Sequence, residues 1–90
     1  MHASKTLKRL LQRLRQLRER HGLSQEAFAE RSGISYKYYQ AVEGGRKREL
    51  RLSTLERFAN AYGIEIHQLL APNLPRTKIP RKRRLKKSVR

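Results

Sequence analysis

The chain has 90 residues, no cysteine and a formal net charge of +16. That length supports one small core and no second one, the missing cysteines exclude disulfides and thiolate metal sites, and so large a positive charge makes polyanions the first partners to consider. No apolar run approaches the roughly 18 residues of a membrane span, and arginines interrupt the N-terminal leucines too often for a secretory segment, so a soluble, unsecreted, cytoplasmic protein is expected.

Residues 1–22 carry seven Lys or Arg against one Glu, residues 76–90 carry nine and no acid, and residues 23–75 hold seven basic and six acidic residues. The excess charge therefore sits at the two ends and in one internal cluster, Arg46, Lys47, Arg48 and Arg51. An Arg-rich, acid-poor N-terminus also fits a transit peptide or a membrane-surface helix, but its leucines have a better use. Leu7, Leu10, Leu11, Leu14 and Leu17 form one helical stripe, with Lys8, Arg9, Gln12, Arg13, Arg15 and Gln16 covering the remainder. His21 and Gly22 mark the end of this first helix.

Ser24 is an N-cap for a short helix over residues 25–32 that buries Phe28 and Ala29, and Gly33 breaks the pattern. Ser35 caps a third helix, about 36–43, whose spacing buries Ile34, Tyr39 and Val42 and whose end falls at Gly44-Gly45. Two helices joined by so short a turn cross steeply, so the second projects from the domain surface. After a basic loop, Ser53-Thr54-Leu55-Glu56 reads as a capping box opening a fourth helix, with Leu55, Phe58, Ala59 and Tyr62 inward and Gly63 as its stop. Ile64, Ile66, Leu69 and Leu70 suggest a brief fifth helix, capped poorly by Glu65 and ending before Pro72. From about Asn73, with prolines at 75 and 80 and scarcely any apolar residue, the chain is expected to be a disordered basic tail. The expected architecture is all-α, a compact bundle of four to five short helices over residues 1–72, followed by a flexible tail over 73–90.

The stretch 17–70 resembles the phage repressor and Cro class of helix-turn-helix domains, also called XRE-type. The residues that carry the resemblance are LR at 17–18, GLSQ at 22–25, Ala29, SGIS at 32–35, VEGG at 42–45, TLERFANAYGI at 54–64 and LL at 69–70. The resemblance implies a lambda-repressor-like fold, a tendency to form homodimers, and double-stranded DNA as partner, with the third helix in the major groove. It also implies that Gln25 braces a phosphate or a neighbouring reading residue, and that Arg18 and Glu43 form a structural ion pair. Electrostatics supports the pairing, since a Glu at a DNA surface must be neutralised or turned away.

The face of the third helix opposite Tyr39 and Val42 exposes Tyr36, Lys37, Gln40 and Ala41, with Ser35 at its head. Lys37 can donate to guanine or to phosphate, Gln40 can pair with adenine, and Ala41 can meet a thymine methyl. Tyr36 is unusual where the family often has Gln, Asn or Ser, and Tyr38 reads as a half-buried packing residue. Arg46, Lys47 and Arg48 follow where family members grip the sugar-phosphate backbone, although residues 46–52 run about one residue longer than the common pattern.

Catalysis finds no support. There is no aspartate, and His2, His21 and His67 are far apart without metal-ligand spacing, so neither a cofactor nor a metal is expected. Two function classes fit. The preferred one is a sequence-specific, operator-binding repressor or controller at the nucleoid. The other is an antitoxin or nucleic-acid-associated module that uses the same scaffold to bind a protein partner such as a toxin or regulator, and fold alone does not choose between them.

Overall fold

The computed structural model describes residues 4–77, which form five helices and no strand: α1 (Lys5–Arg20), α2 (Gln25–Ser32), α3 (Tyr36–Glu43), α4 (Leu52–Ala61) and α5 (Ile66–Leu69). None of these helices is long and apolar enough to cross a membrane. His2 and residues 78–90, which carry most of the expected basic tail, lie outside the described residues.

Local chemistry sets the boundaries of the first three helices. Ser4, Ser24 and Ser35 each accept the backbone N–H three residues on, at 2.9, 3.0 and 3.1 Å, so each start satisfies one orphan donor. Between α2 and α3 the chain reverses at Gly33, whose φ of 76° is a left-handed conformation open to glycine. Gly33 donates to Glu30 and Ile34 to Ala29, closing the last turn of α2 and leaving only two more residues before α3 begins. Ser32 turns its hydroxyl back onto the Phe28 carbonyl at 2.9 Å, which makes it tolerable inside the fold.

The core is assembled from Leu10, Leu14 and Leu17 of α1, Phe28 and Ala29 of α2, Tyr39 and Val42 of α3, Phe58 and Ala59 of α4, and Tyr62, Ile64 and Leu69. Phe28 is its hub: the rings of Tyr39, Phe58 and Tyr62 lie 5.1, 5.9 and 4.8 Å from it, Tyr39 edge-on and Tyr62 stacked. Such aromatic pairs add about 0.5–1.5 kcal/mol each beyond the area they bury, and these tie α2, α3 and α4 together. Leu7, Leu11, Ile34, Tyr38, Leu55, Ile66 and Leu70 are half-buried around this centre.

Three expectations need correction. No capping box forms at Ser53: α4 begins at Leu52 after Arg51, with no side-chain cap. Leu50 and Leu55 both pack against the core, so apolar anchoring on either side of the boundary sets the entry into the helix. At α5 the start is stabilised from within, Gln68 Oε1 accepting the Glu65 N–H at 2.9 Å. Arg13, placed by periodicity on the solvent side of α1, is only 4% exposed. Its guanidinium donates to the Gln68 and Pro72 carbonyls at 3.4 and 3.1 Å, satisfying acceptors at the end of α5, while burial and the neighbouring Arg9 charge lower its pKa. Beyond α5 the chain runs back along α1, where Arg20 donates to the Pro75 carbonyl at 3.1 Å and His21 meets the Thr77 hydroxyl at 2.8 Å.

Candidate nucleic-acid interface

The face of α3 divides along its length as its spacing requires. Tyr39, Val42 and Glu43 are buried, whereas Tyr36 is 42% exposed, Lys37 and Ser35 are exposed or partly so, and Gln40 and Ala41 are half-exposed. Gln40 Nε2 donates to the Tyr36 hydroxyl at 3.2 Å, one helical turn away. The two side chains thereby form a linked pair on the outer face.

The buried end of α3 is organised around a single carboxylate. Arg18 grips Glu43 with both forks, Nε to Oε2 at 2.8 Å and Nη2 to Oε1 at 2.9 Å, and the two side chains are 16% and 2% exposed. The Tyr39 hydroxyl donates to Oε2 at 2.6 Å and Gln25 Nε2 to Oε1 at 2.7 Å. Burial pushes the Glu43 carboxyl up, but these donors and the Arg18 charge outweigh it and hold the group below the usual carboxylate range. Arg18 moves up in turn because of its bond to Glu43. Tyr39 moves well up through burial and its bond to Glu43, so it stays a phenol and a donor.

The structure therefore brings together Arg18 and Glu43, and joins the half-buried Gln25 to them. The negative charge that α3 carries is enclosed by three donors behind the exposed face. Sequence reasoning missed the Tyr39 hydroxyl, although its signal was present: positions 39 and 43 are four apart and share one helix face. It also missed Arg15, whose Nη2 reaches the Glu43 carbonyl at 3.4 Å across the end of α3.

Past α3 the chain turns at Gly45, with φ of 80°, into the exposed run Arg46, Lys47 and Arg48. Lys47 Nζ stands 5.5 Å from the centre of the Tyr38 ring, within reach of a cation–π contact. Tyr38 is half-buried, as its spacing suggested, and links this loop to α3. The result is a convex helix with donors, an acceptor and a methyl outward, flanked by three cations. Among the described residues no group of three or more His, Cys, Asp or Glu side chains is placed to hold a metal.

Comparison with known proteins agrees with this geometry. The family described as "Helix-turn-helix domain" matches residues 9–71. The chain is 40% identical over 62 residues to the HTH-type transcriptional regulator DdrOP3 of Deinococcus deserti, covering 69% of this chain and 47% of that protein. It is also 40% identical over 67 residues to a Neisseria hypothetical transcription factor from Neisseria meningitidis serogroup B, covering 73% of this chain and 61% of that one. The matched region thus spans about half to three fifths of these relatives. No solved structure matches the chain significantly. With the two-helix motif, its glycine turn and its enclosed carboxylate all in place, the chain belongs to the helix-turn-helix domain family.

Proposed function

We propose that this protein is a sequence-specific DNA-binding transcriptional regulator that sets α3 into the major groove. The observation that carries the reading is the split of α3: its one carboxylate is buried and bonded to Arg18, Tyr39 and Gln25, while Tyr36, Lys37, Gln40 and Ala41 face outward. A helix so arranged offers base-edge chemistry without presenting a charge that repels phosphate. Lys37 donates to guanine or phosphate, Gln40 reads adenine, Ala41 meets a thymine methyl, and Tyr36 positions Gln40. Arg46 and Lys47 bind the backbone beside the groove, with Ser35 fixing the start of the reading helix. Gln25 acts indirectly by holding Glu43. Both relatives carry regulator or transcription-factor names, which supports the same reading.

The protein acts as a homodimer in the cytoplasm at the nucleoid, without catalysis. Ile66 and Leu70 are half-buried and Leu74 is 41% exposed, an apolar end suited to a twofold contact that sets half-sites about 34 Å apart. Selection from a random duplex library, followed by competition against bulk DNA at physiological salt, tests the function. The expected result is one defined sequence preferred by about 1,000-fold or more; no preference rejects it. Sedimentation on that duplex should show two chains per site, and one chain at saturation rejects the dimer.

A further inference from the structure

The outer face of α1 uses more positive charge than its fold needs. Lys5, Lys8, Arg9, Gln12, Arg15 and Gln16 lie on one side of the helix, and the first acid there is Glu19, a turn beyond Arg15. Lys5, Lys8 and Arg9 are exposed, and their side chains make no hydrogen bond or ion pair among the described residues. They also sit in the first turns of α1, where there is no acid and where the helix dipole disfavours cations. Helix stability therefore does not explain them, and Arg9 additionally repels the buried Arg13.

This face has a direction. Lys8, Leu11, Gln12 and Arg15 border a groove of about 380 Å³ whose other wall is Glu43, Gly44 and Gly45, the origin of the Arg46–Lys47–Arg48 loop. The Glu43 side chain is only 2% exposed, and Arg15 bridges the gap by its bond to the Glu43 carbonyl. Lys8 and Gln12 also border a second groove, with Lys5, Arg9, Pro72 and Leu74 around it, so the α1 cations form one run along the helix whose Lys8–Arg15 side reaches the backbone leading into the loop. An anionic membrane is a poorer match, because an interfacial helix must insert its apolar face, and the leucines of α1 pack into the core.

We propose that the outer face of α1 is a second phosphate-binding surface, on which Lys5, Lys8 and Arg9 hold the sugar-phosphate backbone of duplex flanking the sequence read by α3. Gln12 and Gln16 supply neutral donors between the cations. The inference rests on the DNA-binding reading above, and it assigns to α1 an extension of the footprint that carries affinity without sequence preference.

The test is the salt dependence of binding by the full chain with Lys5→Gln, Lys8→Gln and Arg9→Gln combined, on the selected sequence in a long duplex and in one trimmed to the half-sites. Every phosphate left without its cation flattens the slope of log K against log salt by about 0.9, so the three cations of each of two bound chains, six in all, flatten it by up to about 5.4 on the long duplex. The slope on the trimmed duplex and the preferred sequence should not change. Removing cations from the positive end of α1 should also raise the melting temperature, which distinguishes weaker phosphate binding from a damaged fold. An unchanged slope on the long duplex overturns the proposal, as does an equal change on both duplexes. Binding to phosphatidylserine vesicles that depends on these three cations, with the DNA slope unchanged, overturns it in favour of a membrane. Failure of the unaltered protein to prefer any sequence is a separate result that strikes the DNA-reading role itself.

Discussion

Tyr39 donates its phenol to Glu43 across one turn of α3, at 2.6 Å, and so places a buried hydroxyl behind the face that carries Lys37 and Gln40. The bond joins the aromatic core to the carboxylate that Arg18 and Gln25 also hold. Reading helix, first helix and core thus meet at one side chain.

The two fully buried tyrosines of the core predict opposite outcomes on removal of a hydroxyl. Tyr39→Phe strands one Glu43 lone pair and should destabilise the domain by about 1.5–3 kcal/mol, the range for bonds to charged groups. Tyr62 is equally buried, and its hydroxyl has no hydrogen-bond partner among the described residues. Tyr62→Phe should therefore leave stability unchanged or raise it slightly. Urea unfolding of the two variants checks the contrast, and equal losses would refute it.

Removing either Arg18 or Glu43 alone leaves its partner's charge without a counterion in a mostly dry site, and each alanine variant should lose about 3–5 kcal/mol. A double-mutant cycle should return a coupling energy well above the roughly 0.5 kcal/mol expected of independent sites. No coupling would mean that the pair is only a surface contact.

Acid should act on the same node. Because Glu43 ionises more readily folded than unfolded, the folded state binds fewer protons, and its contribution is complete above the unfolded value of about 4.3. It is lost as pH falls through the depressed folded value. Urea midpoints should thus hold steady from neutral pH down to about pH 5 and decline in stronger acid, with a shallower decline for Glu43→Gln. Identical acid profiles would show that other carboxylates control the transition.

What the sequence makes legible is local. Ser24, Gly33, Ser35 and Gly45 act on backbone groups within five residues, so their roles follow from spacing, and the leucine stripe of α1 defines its inward face. The Arg18–Glu43 pair follows only from a family resemblance, because nothing local links residues 25 apart. What spacing cannot reach is distant. Arg13 is buried because carbonyls of Gln68 and Pro72, 55 and 59 residues away, need donors, and helical periodicity contains no trace of them. The start of α4 departs from its cap signal because cap chemistry at Ser53 competes with the packing of Leu50 and Leu55, and packing wins. Gln25, expected to brace a phosphate or a neighbouring reading residue, donates its amide to the carboxylate of Glu43, 18 residues away, a partner that spacing does not point to.

The central claim, that α3 reads bases while the loop after it holds the backbone, is tested most directly by measuring Lys37→Ala and Lys47→Ala on the selected duplex and on random duplex. Lys37→Ala should lose about 1–3 kcal/mol on the selected sequence, relax preference at one base position and change random binding little. Lys47→Ala should weaken both by a similar factor. Equal losses on both duplexes for both variants would contradict the assignment of α3 as the reading helix.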